Sequence, residues 1–219
     1  MRVFPALGVL AGGDHPSAQL SRLAALSEFV AAADGAADRL LAAGIVPDLT
    51  VGDLDSLRAP SAALREVLRV ADQDSTDADK LLAALGERGR TRIVLAGAEG
   101  DLPDHFLASL QSAAKADAEI WFALRRGVGR ILRSGDAARL VSRPGSRVSL
   151  IPIAPCEGVV TDGLRWRVAD GRLDPLGPSG ISNRATDEEI SVGLEAGALF
   201  LFAEADEPID ALVSSFGRS

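Results

Sequence analysis

A chain of 219 residues, 47% of them hydrophobic, has the apolar material for one large domain or two small ones. Its 31 acidic against 23 basic residues leave a net charge of −8, which argues against a nucleic-acid or anionic-membrane binder, because phosphate surfaces need a basic footprint. The one cysteine, Cys156, excludes an intramolecular disulfide and fits a reducing cytoplasm, and with only His15 and His105 as histidines a thiolate–imidazole zinc site is not expected.

Residues 1–5 lack the apolar core and cleavage pattern of a signal peptide, and no apolar run reaches the roughly 18 residues of a membrane span. The expectation is a cytoplasmic protein with no membrane or nucleic-acid partner.

In chain order, residues 3–11 read as a buried strand bounded by Gly12, Gly13 and Asp14. Those glycines either cradle an anion at the start of the following helix, 17–26, or simply end the strand. Residues 29–33 form a second strand ending at Asp34 and Gly35. A helix over 36–43 follows, closed by Gly44 at its C′ position. Residues 49–51 make the next strand. Residues 60–68 have the pattern of a helix with an early proline, and 69–71 of a short strand. Thr76 then starts a helix, with Asp79 as its capping-box partner and Leu81, Leu82 and Leu85 as its apolar face. A strand over 92–96, a helix over 103–115 and a strand over 119–123 complete the series.

The first ~125 residues thus alternate strand and helix, which predicts a Rossmann-like parallel sheet flanked by helices on both faces. Ligands of such sheets bind at the carboxyl ends of the strands. Near Gly127 the rhythm changes. Short alternating segments at 130–133, 139–142, 147–153, 158–161, 164–168, 172–176, 189–194 and 199–203 are separated by Gly and Pro turns. These predict an antiparallel β-sandwich or barrel of about 90 residues. The division expected is an α/β nucleotide-binding catalytic domain over 1–127 and a β-sandwich domain over 128–219. Ile209, Leu212, Val213 and Phe216 could pack back as a short terminal helix.

Two acidic stretches stand out against this frame: Pro47 to Ser56, and Asp72-Gln73-Asp74-Ser75-Thr76-Asp77. In an extended segment Asp53 and Asp55 would point the same way, with Cα atoms roughly 6–7 Å apart. Two such carboxylates repel unless a cation lies between them, and hard Mg²⁺ takes one or two carboxylates together with phosphate oxygens. The competing reading makes Asp55-Ser56 a turn and helix cap. Asp77 and Lys80, three apart, share a helix face, and Lys80 is one of only two lysines. Gln73 and Thr76 could bond a nucleotide or make local turns. Asp77 and Asp79 also suit a helix N-terminus, the preferred role for Asp79. Asp104 and His105 follow a Gly-rich turn, where a histidine is more often a structural donor. Cys156 reads as a small buried residue.

P-loop, Gly-x-Gly-x-x-Gly, His-Glu-x-x-His and Gly-x-Ser-x-Gly motifs are all absent, which argues against common NTPases, standard dinucleotide enzymes, zincins and α/β-hydrolases. The residues alone therefore point to a Mg²⁺-dependent enzyme acting on a phosphorylated ligand.

Ala33-Asp34-Gly35-Ala36-Ala37, Pro47-Asp48 through Gly52-Asp53-Leu54-Asp55-Ser56, and Asp72 through Asp77 with Lys80 together resemble thiamin pyrophosphokinases. So do Gly158 through Trp166 and Gly180-Ile181-Ser182-Asn183, in the family's order over about residues 28–203. The resemblance implies a homodimer with active sites at the subunit interface, transferring a diphosphoryl group from ATP to the thiamin hydroxyl. It places Asp53, Asp55 and Asp77 on Mg²⁺ and the ATP phosphates. Asp34, Gly35, Gln73, Asp74, Thr76, Lys80, Asp104 and His105 fall on the nucleotide side. Trp166, Ser182 and Asn183 fall on thiamin, reaching it from the partner subunit. Without the family, Trp166 reads as a core aromatic.

The chain departs from the family's pattern at several places. The usual double glycine after Ala-Asp is Gly35-Ala36, and the following Asn is Asp38. The Gly-Arg-x-Asp-His pattern reads Asp101-Leu102-Pro103-Asp104-His105, so the expected phosphate-binding arginine is Leu102. Arg125 and Arg126 are candidates to replace it. Two rivals share these features: a diphosphokinase for another alcohol such as a pterin, and a non-catalytic nucleotide- or thiamin-binding homologue.

Overall fold

A computed structural model describes residues 2–11, 15–55, 57–58, 60–99, 102–169 and 171–218. The turn glycines Gly12 and Gly13 with Asp14, the capping residue Ser56, and Gly100 with Asp101 lie outside the described residues. The chain divides into two compact units, Met1–Arg125 and Arg126–Ser219.

In the first unit, β1 (Ala6–Val9), β2 (Val30–Ala33), β3 (Leu49–Gly52), β4 (Glu66–Arg69), β5 (Arg92–Ala96) and β6 (Glu119–Leu124) form a parallel sheet. Its order is β4-β3-β2-β1-β5-β6. The chain runs outward from β1 to β4, then crosses back over β1 to lay down β5. The switch in direction therefore falls between β1 and β5, where open α/β sheets form their crevice. Helices α1 (Ser17–Ala25), α2 (Asp34–Ala42), α3 (Asp77–Glu87) and α4 (Pro103–Lys115) make the crossovers. The central strands are buried along their whole length, as continuous apolar runs such as Val30-Ala-Ala-Ala33 require in a sheet covered on both faces.

Helix α3 begins where its sequence says. The Thr76 hydroxyl accepts the Asp79 N–H at 3.1 Å, and the Asp79 carboxylate accepts the Thr76 N–H at 3.1 Å. Its Leu81, Leu82 and Leu85 are buried. By contrast, the expected helix over 60–68 is a short 3₁₀ turn, Ser61–Ala63, followed by β4. Glu66-Val67-Leu68-Arg69 pairs in parallel with Leu49–Gly52, so sheet pairing overrides a weak helical pattern. Its two terminal charged residues are exposed and its middle pair half-buried, which suits a sheet edge. The strand expected over 69–71 lies within and just beyond this element. Helix α2 begins at Asp34, two residues earlier than expected.

The second unit is antiparallel. Strands β7 (Gly127–Arg133), β8 (Ala137–Val141), β9 (Arg147–Asp162), β12 (Glu189–Gly193) and β13 (Ala196–Glu204) run in the order β7-β13-β9-β12-β8. Two further strands, β10 (Gly171–Leu173) and β11 (Gly180–Arg184), pair with β9. The segments expected at 147–153 and 158–161 are one 16-residue strand. Its first part pairs with β13 and β11, and its last residues with β12. One strand thus serves two arrays, and register shifts against β13 mark the irregularity between them. Residues 164–168 are a loop with one β-bridge, Leu164 to Ala185, and further backbone hydrogen bonds such as Arg165 N–H to the Arg184 carbonyl at 2.9 Å. Helix α5 (Pro208–Phe216) buries Ile209, Leu212 and Phe216. Its Ser215 hydroxyl accepts the Val141 N–H at 2.9 Å. Among the described residues no helix is long and apolar enough to cross a membrane.

Candidate active site

Asp34 is the pivot of the first unit's strand-end surface. It starts α2 directly after β2 and is 3% exposed. Its carboxylate accepts the Gly35 N–H at 2.7 Å and the Leu54 N–H at 2.9 Å. A Cβ on Gly52 would lie 2.5 Å from the Asp34 carboxyl carbon, so only glycine lets β3 end there. Burial raises the Asp34 pKa against the two backbone donors, and the charges of Asp77 and Asp53 raise it further.

Leu54 has a φ of 73°, in the left-handed region. The segment from Asp53 to Asp55 is therefore a turn, not the extended pair expected. Asp53 accepts the Asp55 N–H at 3.1 Å, closing an Asx-turn. That backbone donor is the main cause of the lowered Asp53 pKa, with Gln73, Asp34 and the Lys80 charge adding to it. The Gln73 side-chain amide lies 3.5 Å from the other Asp53 oxygen. Asp72 makes a second Asx-turn, accepting the Asp74 N–H at 3.0 Å.

Lys80 is 7% exposed on α3, while Asp77, at the helix's first position, is exposed. The two share an element without sharing an environment. The Thr76 hydroxyl is occupied by the capping box, donates to the Asp79 carboxylate at 2.8 Å and lies 3.1 Å from the Ser112 hydroxyl. Asp104 and His105 sit exposed in the first turn of α4, and Leu102 before them is 54% exposed. The structure thus couples Asp34, Asp53, Gln73, Asp77 and Lys80. It leaves Asp55 and Asp74 as exposed neighbours in the two turns.

Could these residues hold a divalent cation? The donors are carboxylate oxygens, the chemistry that hard Mg²⁺ takes, and the charges of Asp77 and Asp53 add to the effect of burial in raising the Asp34 pKa. Among the described residues no three acidic, histidine or cysteine side chains are gathered closely enough to hold a metal by themselves. A divalent cation here would take one or two of these carboxylates and complete its coordination with water and phosphate oxygens.

In the second unit Trp166 is 56% exposed, which overturns its reading as a core aromatic. The Arg165 guanidinium carbon stands 5.1 Å from the indole centroid. Asn183, 4% exposed, clamps the tryptophan backbone: its side-chain oxygen accepts the Trp166 N–H at 3.1 Å, and its amide donates to the Trp166 carbonyl at 2.8 Å. Ser182 has a φ of 62°. Its N–H donates to the Ser149 hydroxyl at 3.1 Å, and its hydroxyl accepts from Arg147. Trp166, Ser182 and Asn183 are thus neighbours. Sequence reasoning missed Arg147, which no motif distinguishes from the other arginines, and gave no role to Arg165, although it stands inside the Gly158 through Trp166 motif.

Residues 20–122 match the family model of the thiamin pyrophosphokinase catalytic domain, and residues 139–199 that of the thiamin pyrophosphokinase vitamin B1 binding domain. Among solved structures, thiamine pyrophosphokinase from Bacillus subtilis is 21% identical, with a TM-score of 0.76 over 92% of this chain and 99% of that one. The enzyme from Candida albicans is 17% identical, with a TM-score of 0.75 over 93% and 90%. The yeast enzyme is 16% identical, with a TM-score of 0.72 over 98% and 89%. At these identities the likeness is one of fold. No curated protein matches the chain.

Proposed function

The chain belongs to the thiamin pyrophosphokinase family, and we propose that it transfers the diphosphoryl group of ATP to the hydroxyl of thiamin with Mg²⁺. The products are thiamin diphosphate and AMP. A bond forms between the thiamin oxygen and the β-phosphorus, and the bond from that phosphorus to the AMP oxygen breaks. The observation that carries this reading is the carboxylate group of Asp34 and Asp53, just after β2 and β3, with Asp77 at the start of α3, within the residues matched by the catalytic model.

Asp53, Asp55 and Asp77 are the carboxylates that would share in holding Mg²⁺ together with water and phosphate oxygens, and the ion supplies charge neutralisation and alignment for the polyphosphate when bound. Asp34 and Gly35 shape the nucleotide side: Asp34 spends its oxygens on backbone N–H groups and so fixes the Asp53–Asp55 turn. Gln73 orients Asp53, and Lys80 brings a buried positive charge toward the phosphates. Asp74, Thr76, Asp104 and His105 would border the nucleotide, Thr76 by holding the start of α3 rather than with a free hydroxyl. Trp166 offers an exposed indole to the cationic thiazolium of thiamin. Asn183 holds that tryptophan in place, and Ser182 borders it. In this reading the protein is a cytoplasmic homodimer whose sites lie at the subunit interface. Incubation with thiamin, ATP and Mg²⁺ tests it, by the appearance of AMP and thiamin diphosphate in equal amounts.

A further inference from the structure

The strand ends at the switch between β1 and β5 carry a second group of side chains. Gly97 follows β5 with a φ of 72°, and a Cβ there would lie 2.2 Å from the Leu10 carbonyl oxygen. The two strand ends therefore approach as closely as backbones can. Glu99, just beyond, accepts the Arg125 backbone N–H at 2.5 Å, and its carboxylate lies 3.7 Å from the Arg125 guanidinium. Arg125 is thereby fixed at the carboxyl end of β6 while its side chain stays 43% exposed. His15, between β1 and α1, is 8% exposed, and its Nε2 is buried without a hydrogen-bond partner. A buried, unsatisfied ring nitrogen costs about 1–3 kcal/mol.

Burial first, and then the Arg125 charge, push the His15 pKa down to about 4, so the ring is neutral at physiological pH. The neutral His15 ring has an unpaired Nε2, and the half-exposed Arg125 guanidinium meets Glu99 only at 3.7 Å, so one incoming anion can engage both. The acidic cluster described above supplies none of the positive charge that a polyphosphate requires, apart from Lys80.

We propose that His15 and Arg125 form the anion-binding half of the nucleotide site, Arg125 pairing with a phosphate and a phosphate oxygen accepting from His15 Nε2. This rests on the reading of the first unit as a nucleotide-binding kinase domain and adds two residues to it. With the anion present, the charge that disfavours an imidazolium at this position is offset. His15 then holds a proton more readily, although burial, the larger cause of its lowered pKa, still acts.

The chain has two histidines, so proton NMR resolves both imidazoles, and the His15→Gln or His105→Gln variant assigns them. The probe is α,β-methylene-ATP with Mg²⁺, its affinity measured in parallel by calorimetry. Saturating probe should shift the His15 resonance and raise its pKa by at least about one unit, since a unit corresponds to a modest 1.4 kcal/mol of differential interaction. Arg125→Ala should weaken binding about tenfold or more and abolish that ligand-induced shift, while Arg125→Lys retains part of both. Probe binding that leaves His15 unmoved, or equal affinity in Arg125→Ala, overturns this proposal alone. Absence of any nucleotide binding by the unaltered protein overturns both it and the functional reading on which it rests.

Discussion

The Asp34 carboxylate accepts the backbone N–H of Leu54 at 2.9 Å, tying the start of α2 to the turn that carries Asp53 and Asp55. Gly52, against which the same carboxylate packs, leaves no room for a side chain. Asp34→Ala removes two charged acceptors and should destabilise the fold by roughly 2–3 kcal/mol. It should also cut turnover by about a hundredfold, through loss of the carboxylate positions. Gly52→Ala should lower turnover similarly by pushing Asp34 aside. Denaturant midpoints and AMP formation check both, and near-normal turnover in both variants would remove Asp34 from its positioning role.

Asp53 and Asp55 lie in an open turn and support no core packing. Asp53→Asn and Asp55→Asn should therefore abolish turnover with little change in thermal midpoint. The contrast with Asp34→Ala is diagnostic, because the one disrupts structure and function and the others function alone. Activity close to normal in both asparagine variants would refute the metal assignment.

Asn183 and Trp166 should also behave differently. Trp166→Ala removes an exposed face and should raise the KM for thiamin about fivefold to tenfold, from a cation–π contribution of about 1 kcal/mol or slightly more, with stability unchanged. Asn183→Ala leaves buried Trp166 backbone groups unpaired and should cost roughly 1–3 kcal/mol of stability as well as raising that KM. An unaltered thiamin KM in both would mean that thiamin binds elsewhere.

The pH dependence of stability carries a signature of His15. Its pKa falls from 6.5 to about 4 on folding, for reasons of burial and then of Arg125. The unfolded chain therefore binds the proton better, and the stabilisation is complete above the unfolded value. It is lost as pH falls from 6.5 toward 4, by roughly 3 kcal/mol in all. Denaturant unfolding at stepped pH should show this slope, and His15→Gln should flatten it. An equal slope in the variant would assign the effect to other groups.

Much of the fold was legible because its signals are local and strong. The Thr76–Asp79 capping box fixes α3, and the span of α4 coincides with the range expected from Pro103 to Lys115. What failed depended on tertiary partners. Residues 66–69 have no intrinsic need to be a strand, and pairing with β3 makes them one. No local pattern told that β9 continues through Pro155 instead of breaking into two strands. At the site, the acidic motifs gave the carboxylates but not their geometry: the positive φ of Leu54 turns a supposed extended pair into an Asx-turn. His15 carried no motif at all, because its isolation is a property of burial rather than of neighbouring residues. The exposure of Trp166 has no signal in its neighbouring residues, which made it read as core; only the family resemblance set it at a site, and the Asn183 hydrogen bonds to its backbone come from a strand distant in sequence.

The central claim is tested most directly by product analysis with the purified protein, thiamin, Mg²⁺ and ATP. The account predicts thiamin diphosphate and AMP in one-to-one ratio, with no ADP formed and no turnover when Asp53 is asparagine. Release of ADP with thiamin monophosphate, or no thiamin-dependent consumption of ATP at all, would contradict it.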